Sequence, residues 1–508
     1  MEFVPSLAAA LPLLVAIFTV YVLPTYKEWV LLPRALVQVC KQQSVESYGD
    51  SSRPGRLVRS QGRLFQCWDT LSGLSASSPK VFYVSVGKMV TLVVSDLSLV
   101  RAFLTNDPGV ESCYSKPSFV RVLRILGNGL FSSSGDDWAR QRSLIAPALL
   151  TKEIKSKVQD MVESTSLALE KLAVKAETSG IVDMHRFFLG LTLDVLQKTV
   201  FGTELGADPG TLFQTLKRYH HGRRELVFGL AAVIPGYRWL QERLLTQARQ
   251  DEAWIRGLMK EVLVPAASTS RSDHHGNRLV EIFRDSSAMT EQEALDNSVT
   301  FLLAGHETTA AVLSWSLYLL ALNPQWQHRA REEVSQVLGS SWPSPSPLSS
   351  TVLAWEHLSK LKTIGLILME AVRLFPPQPL IGRSCVRENH LGDIRVPPGL
   401  EVIVPVAAIH RSEELWGRDA ADFRPDRFEN GIKSACSHPL AYLPFGSGPR
   451  TCVGQSLAMA EAKAVLAMVL LRFSWELSGS YRHEPDVTLN LQPKFGMPLL
   501  LTLLEQTA

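Results

Sequence analysis

The sequence predicts a mainly α-helical protein with small β-sheets, preceded by an N-terminal transmembrane helix. Three features of the 508-residue chain support this prediction. The segment from Phe3 to Tyr26 contains no charged residue, and about 20 mainly apolar residues are enough to cross a bilayer. Val81 to Val94 is rich in the β-branched and aromatic residues that are typical of strands. Most of the later chain has helical patterning, which is clearest in Thr290 to Ala321 and Gln455 to Phe473.

The apolar N-terminal segment indicates a signal anchor rather than a cleaved signal peptide. The short region before it carries no Lys or Arg, and no small-x-small cleavage site follows its apolar core. Lys27, Arg34 and Lys41 follow the segment. Because positive charge stays on the cytoplasmic side of a membrane, we expect the remainder of the chain in the cytosol. A buried core helix is the alternative interpretation, and Pro5 and Pro12 weaken the prediction of a helix.

Charge and cysteine content exclude several classes of protein. The chain has 52 Lys and Arg against 49 Asp and Glu, and its net charge of +3 leaves no electrostatic footprint for nucleic acid. The scattered cysteines contain no C-x-x-C pair, so neither a disulfide framework nor a structural zinc site is predicted. A reducing, cytosolic environment fits them best. The six cysteines are Cys40, Cys67, Cys113, Cys385, Cys436 and Cys452.

The long helix predicted from Thr290 to Ala321 begins with the capping box Thr290-x-x-Glu293. Polar residues interrupt its middle, although buried polar groups are costly unless they are hydrogen-bonded. One interpretation is a glycine kink whose threonines bond back to the carbonyl four residues earlier. The other is a polar notch that serves chemistry. The interrupting residues are Gly305, His306, Glu307, Thr308 and Thr309; we expect His306 to face outward.

Cys452 lies in the glycine-rich loop Phe445 to Gly454, directly before the helical run that starts at Gln455. A thiol near a helix N-terminus is favoured as a thiolate by the helix dipole and the free N–H groups. A thiolate is a soft anionic ligand that suits iron. The glycines allow the backbone to pass close to a flat cofactor. A buried structural cysteine is the alternative interpretation.

Further short motifs occur before this loop. Glu370 and Arg373 are three residues apart, so on a helix they share a face and can pair, and taken alone they could be an ordinary surface pair. Arg is well suited to bidentate recognition of carboxylates. Each motif is weak by itself. In chain order they are Trp138-x-x-x-Arg142, the Ala304 to Thr309 segment, Glu370-x-x-Arg373 and Phe423-Arg424-Pro425-Asp426-Arg427-Phe428.

The loop around Cys452 and these motifs, in this order, resemble the cytochrome P450 family. The resemblance covers roughly Val81 to Leu504, and the match between Pro54 and Val81 is poor. It implies one large haem-thiolate monooxygenase domain in which Cys452 is the iron ligand of haem b, iron protoporphyrin IX. The expected division is an anchor at residues 1–26, a linker and the start of the catalytic domain at 27–80, and the catalytic domain at 81–508.

The resemblance also implies roles for individual side chains. Residues expected to bind the cofactor are Trp138, Arg142, Gly305, Arg383, Phe445, Arg450 and Cys452. Glu307 and Thr308 are expected to be catalytic, the acid relaying protons and the hydroxyl holding dioxygen. Glu370, Arg373 and Arg427 are expected to form a buried structural triad. Asp426 stands where Glu is commoner in the family, a departure that should not disturb Arg427.

The carboxyl-terminal third resembles one plant clan of the family, which includes steroid, cytokinin, gibberellin and triterpenoid hydroxylases. The segments that carry this likeness are His410 to Gly417, Arg472 to Ser478 and Leu489 to Gly496. The resemblance implies hydroxylation of a hydrophobic small molecule of the isoprenoid, steroid or hormone-like class at the endoplasmic reticulum membrane. The reaction would use O2 and electrons from an NADPH-dependent flavoprotein reductase. The identity of the substrate does not follow from these segments.

Two other functions remain open from the sequence. One is an enzyme of the same fold that rearranges hydroperoxides without a reductase. Such relatives usually lack the acid–threonine pair, so Glu307 and Thr308 argue against it. The other is a non-enzymatic membrane haem or ligand-binding protein, for which no oxygen-activating notch would be needed.

Overall fold

The computed structural model describes residues 46–47, 80–86, 89–105, 113–117, 120, 124–203, 205–208, 210–212, 214–219, 246–263, 278–339, 353–487 and 490–504. The predicted anchor, Phe3 to Tyr26, lies outside these residues. Within the described part of the chain, no helix combines the length and the apolar character needed to cross a membrane. The four cysteines that the structure describes, Cys113, Cys385, Cys436 and Cys452, are free thiols.

Helices form most of the described chain, as the sequence predicts. Their bounds are Leu97–Thr105, Gly135–Ile145, Thr151–Ser179, Met184–Leu196, Thr246–Leu263, Arg278–Arg284, Glu291–Leu322, Pro324–Leu338, Trp355–Lys360, Lys362–Leu374, Val406–Ile409, Glu413–Trp416, Ile432–Ala435 and Gln455–Arg472. We call Glu291–Leu322 the central helix and Gln455–Arg472 the C-terminal helix. The predicted helices at Glu370 and after Cys452 are therefore confirmed.

The strands are short and form small sheets. They are β1 Glu46–Ser47, β2 Val81–Val86, β3 Met89–Val94, β4 Tyr114–Ser115, β5 Ile181–Asp183, β6 Ile381–Cys385, β7 Asn389–Leu391, β8 Ile394–Val396, β9 Glu401–Val404, β10 Phe473–Leu477, β11 Pro485–Val487, β12 Leu491–Pro493 and β13 Pro498–Leu503. The largest sheet has the order β1-β2-β3-β9-β6-β4. Its antiparallel β2–β3 pair, with Val81 opposite Val94, confirms the strand prediction for this segment.

The central helix organises the larger of two apolar cores. The predicted capping box is present, since the Thr290 hydroxyl accepts from the Glu293 N–H at 3.2 Å and the Glu293 carboxylate accepts from the Thr290 N–H at 3.0 Å. This cap satisfies backbone donors that a helix start leaves free. Most of the helix is buried, and the C-terminal helix and the Met184–Leu196 helix pack against it. The second core lies against the largest sheet.

Candidate active site

A cavity of about 450 Å³ lies between the central helix and the loop that carries Cys452. Its wall is mostly apolar, with Leu, Ile, Val and Phe side chains from several elements. Both the volume and the character of the wall are typical of small-molecule and cofactor sites. Every residue that the sequence predicts to bind the cofactor lines this cavity: Trp138, Arg142, Gly305, Arg383, Phe445, Arg450 and Cys452.

Backbone contacts fix the loop that presents Cys452. The Cys452 N–H donates to the Phe445 carbonyl at 2.9 Å, which closes the loop on itself. Gly448 has a φ of +73°, and a Cβ at this position would lie 2.4 Å from the Leu104 carbonyl oxygen. Only glycine avoids both the strain and the collision there. The loop therefore holds the thiol facing the cavity, just before the C-terminal helix begins at Gln455.

The Cys452 side chain lines the cavity and is exposed to it. Burial raises the pKa of this thiol, while the Gly454 N–H, the Arg142 charge and the Gln455 N–H act in the opposite direction. The thiolate-favouring contacts predicted from the sequence are therefore present, but burial outweighs them. A thiol that coordinates a metal is deprotonated outright. The position thus suits a metal ligand more than a free, reactive cysteine.

Arginines held by neutral acceptors line the same cavity. Arg142 donates to the Thr451 carbonyl at 2.7 Å, and Arg450 donates to the Ser133 carbonyl at 2.8 Å. The Arg450 guanidinium also stacks over the Trp138 ring, 4.0 Å from its centroid. These contacts orient the two guanidinium groups beside the cavity, and Arg is well suited to binding carboxylates. A thiol at one wall and cations around it fit a haem with its two propionates.

Thr308 and Thr309, in the middle of the central helix, make the backward backbone bonds that one interpretation predicts, and they also line the cavity. The Thr308 hydroxyl donates to the Ala304 carbonyl at 2.7 Å, and the Thr309 hydroxyl donates to the Gly305 carbonyl at 3.2 Å. Both threonines also line the cavity. A Cβ on Gly305 would lie 2.6 Å from Leu196 Cδ1, so this glycine also permits close packing of the neighbouring helix. Local backbone bonding and exposure to the cavity therefore coexist.

Glu307 makes a contact that the sequence did not reveal. Its Oε2 accepts a hydrogen bond from Asn490 Nδ2 at 3.0 Å, and Asn490 Oδ1 accepts one from Gln378 Nε2 at 2.7 Å. Both amides line the cavity, whereas Glu307 is not among the described residues that do so. Burial raises the pKa of Glu307 to about 7, and the Asn490 hydrogen bond opposes this rise. Asn490 lies in the Leu489 to Gly496 segment that carries the clan likeness, but nothing in the sequence indicated its contact with Glu307 or with Gln378.

His306 is buried, so the prediction that it faces outward is wrong. It is 2 % exposed, and one ring nitrogen bonds the Leu302 carbonyl. The Thr192 hydroxyl on the adjacent helix donates to the His306 carbonyl at 3.0 Å. Burial lowers the pKa of His306 to about 4, so the ring is neutral at physiological pH. Close packing of the Met184–Leu196 helix covers the face that the sequence suggested was free.

Glu370, Arg373 and Arg427 are in contact with one another. Glu370 accepts two hydrogen bonds from Arg373, at 2.7 Å each, and one from Arg427 Nε at 2.9 Å. The Glu370 and Arg373 side chains are 0 % exposed, and that of Arg427 is 5 % exposed. Arg373 further donates to the carbonyls of His410 and Ala420 at 2.7 and 2.6 Å. The pair is therefore not a surface ion pair.

His410 connects this cluster to the loop before Cys452. Its Nδ1 bonds the Arg373 carbonyl at 3.0 Å, and its Nε2 accepts the Leu443 N–H at 2.8 Å. The second bond requires a bare Nε2, so the proton of the neutral ring is on Nδ1. Burial, helped by the Arg373 charge, lowers the pKa of His410 to about 3 and keeps it neutral. The sequence showed this histidine only as part of the clan resemblance.

Comparison with known proteins agrees with the site. The family model for cytochrome P450 matches residues 66–499, so the match begins before Val81, within the segment where the resemblance was poor. The chain is 35 % identical over 405 residues to an 11-oxo-beta-amyrin 30-oxidase from Glycyrrhiza uralensis, covering 76 % of this chain and 75 % of that protein. It is 34 % identical over 444 residues to a cytokinin hydroxylase from Arabidopsis thaliana, covering 83 % and 81 %.

A third relative is cytochrome P450 714C3 from Oryza sativa subsp. japonica, 34 % identical over 443 residues, with 84 % of this chain and 82 % of that protein covered. The likeness to plant hydroxylases that the carboxyl-terminal segments predict is therefore confirmed. The family match also supports the haem iron that the cavity fits, together with the use of O2, a redox partner and a small-molecule substrate. This chain belongs to the cytochrome P450 family and is a monooxygenase.

Proposed function

We propose that the protein is a membrane-anchored monooxygenase that hydroxylates a hydrophobic small molecule of the isoprenoid, steroid or hormone-like class. Its electrons come from an NADPH-dependent flavoprotein reductase. The observation that carries the proposal is the mostly apolar cavity, which has Cys452 at one wall and Thr308 on the central helix. An apolar wall favours a hydrophobic substrate because binding removes apolar surface from water. Relatives named for oxidising an amyrin and a cytokinin support this class of substrate.

Haem b is the cofactor that the site would hold, and through its cysteinate ligand it supplies oxygen activation by favouring O–O cleavage. In this assignment Cys452 is the ligand. Arg142, Arg383 and Arg450 would hold the propionates, with Arg450 stacked on the Trp138 ring.

Thr308 and Glu307 divide the proton chemistry in this proposal. The Thr308 hydroxyl gives its hydrogen to the Ala304 carbonyl, so toward the cavity it can accept a hydrogen bond from a donor. Glu307, with its pKa raised to about 7, can take up and release protons near neutral pH. The apolar wall keeps bulk water away from the reacting atoms, which limits side reactions.

The membrane assignment rests on the sequence. Residues 1–26 form a single anchor in the endoplasmic reticulum membrane, residues 27–80 lead into the catalytic domain, and residues 81–508 complete it on the cytosolic side. The uncharged span from Phe3 to Tyr26 and the cations after it support this orientation.

Replacement of the proposed ligand tests the site. The reduced protein with bound carbon monoxide should show the far-red-shifted absorption of thiolate-ligated haem, and Cys452→Ala should lose it. Cys436→Ala is the matched control, because Cys436 is a buried free thiol that does not line the cavity; it should keep the shifted absorption. Retention of the shifted absorption by Cys452→Ala would show that another residue is the ligand.

A ligand screen on the same protein tests the substrate class. Triterpenoids, steroids and cytokinin-like compounds should each be titrated while the visible absorption of the haem is recorded. We expect saturable spectral shifts, and hydroxylated product with reductase and NADPH, from at least one hydrophobic class. Spectral shifts and products confined to small, water-soluble compounds would contradict the proposal.

A further inference from the structure

Two side-chain amides join the acid of the central helix to the cavity wall. Gln378 follows the Lys362–Leu374 helix, and Asn490 precedes strand β12, so residues distant in sequence meet here. Gln378 Nε2 donates to Asn490 Oδ1 at 2.7 Å, and Asn490 Nδ2 donates to Glu307 Oε2 at 3.0 Å. Because Oδ1 is engaged with an N–H donor, the Asn490 amide has its N–H group directed at the carboxylate. Asn490 is 3 % exposed, so this arrangement is shielded from bulk water.

We propose that Asn490 is a positioning residue for Glu307, holding the carboxylate in one orientation beside the cavity while Gln378 holds Asn490. The inference rests on the proton role proposed for Glu307. A carboxylate in a poorly solvated position can turn about its side-chain torsions unless a donor fixes it. Proton transfer requires the donor and acceptor to lie within hydrogen-bond reach, so a fixed carboxylate favours productive delivery. Gln378 makes the cavity wall part of this arrangement.

The hydrogen bond from Asn490 to Glu307 should also change the pKa of Glu307 in a direction that can be measured. A hydrogen bond donated to the charged form of a carboxyl favours that form and lowers its pKa. For Glu307 the burial effect is larger than the Asn490 effect. Removal of the Asn490 donor should therefore raise the pKa of Glu307 further above about 7. We expect an upward shift of about one pH unit, since hydrogen bonds to charged groups are among the stronger ones.

Other titratable groups near the central helix behave differently near neutral pH. The buried ones on helices packed against it are His185, Asp251, Glu370, Arg373 and Glu461, and Arg256 there is partly buried. Burial lowers the pKa of His185 to about 4, as it does for His306, so both rings are neutral at pH 7. The Asp251, Arg256 and Arg373 side chains are held in ion pairs. Burial raises the pKa of Glu461, so a measurement must distinguish it from Glu307.

An infrared titration of the resting holoenzyme makes that distinction without turnover. The Glu307 carboxyl band is the one that Glu307→Gln removes. In Asn490→Leu and Asn490→Asp this band should titrate about one pH unit higher than in the parent protein. The first variant removes the donor, and the second keeps the shape but sets a carboxyl beside Glu307. Gln492→Leu is the matched control, because Gln492 is an amide on the same segment that bonds His185. In this variant the Glu307 carboxyl band should titrate as in the parent protein.

Turnover gives the second readout. The yield of product per NADPH should fall in Asn490→Leu. The pH at which this yield changes should move upward together with the pKa of Glu307 from the infrared titration. Haem content should stay near the parent value in Asn490→Leu, as it should in Gln492→Leu. An unmoved infrared band in both Asn490 variants would overturn the positioning role. A parent-like yield in Glu307→Gln would instead overturn the proton role of Glu307, so the two failures are distinguishable.

Discussion

Replacement of Glu370 by Ala should strongly destabilise the protein. The carboxylate accepts two bonds from Arg373, one from Arg427 Nε and one from the Arg424 N–H, at 2.7 to 2.9 Å. Its removal leaves the fully buried Arg373 charge without its counterion. Breaking a buried pair in this way costs about 3–5 kcal/mol. Since folded proteins are stable by only about 5–15 kcal/mol, we expect a large fall in the denaturant midpoint and in haem content.

A matched ion pair isolates burial as the cause. Glu388 and Arg395 also lie 2.7 Å apart, but both side chains are about half exposed, at 48 % and 52 %. Exposed pairs contribute little to stability, so Glu388→Ala should leave the midpoint close to that of the parent protein. Urea unfolding followed by far-ultraviolet circular dichroism measures both variants. Equal midpoints for Glu370→Ala and Glu388→Ala would refute the reasoning, because they would show that burial of the triad does not govern its energetic importance.

Two further predictions concern the chemistry and the membrane. Thr308→Ala should keep haem and substrate binding but lower the yield of product per NADPH about tenfold, because no hydroxyl then accepts a hydrogen bond in the cavity. A full yield would show that the Thr308 hydroxyl serves only to bond the Ala304 carbonyl of its own helix. Protease added to intact microsomes should digest the catalytic domain, because the cations after Tyr26 favour the proposed cytosolic orientation. Protection of the domain would contradict this orientation.

The regular elements of the fold could be predicted because local signals and burial agree. The capping box at Thr290 marks the start of the central helix, and the β-branched and aromatic residues of Val81 to Val94 indicate strands. His306 shows where such reasoning fails. A polar residue at a variable position suggests solvent, yet the Met184–Leu196 helix packs over it and the Leu302 carbonyl bonds one of its ring nitrogens. Burial of this kind depends on tertiary packing, which local sequence does not encode.

The residues expected to bind the cofactor were assigned from the family motifs, and they do line one cavity. Their hydrogen-bond partners could not be predicted from the sequence. Arg142 and Arg450 bond to backbone carbonyls, and a carbonyl has no side-chain identity to read in a sequence. Asn490 and Gln378 are separated by 112 residues along the chain and meet only through folding. Gly305 was identified by its place in a motif, but its contact with Leu196 gives it a packing role as well.

The Glu370, Arg373 and Arg427 triad should affect cofactor binding although it takes no part in the chemistry. Arg373 shares its carbonyl with His410 Nδ1, and His410 Nε2 accepts the Leu443 N–H two residues before Phe445. The Phe445 carbonyl in turn accepts the Cys452 N–H. A shift of Arg373 can therefore reach the thiol through a neutral histidine that cannot adapt by taking a second proton at physiological pH. Loss of Glu370 should consequently lower haem retention even in molecules that remain folded.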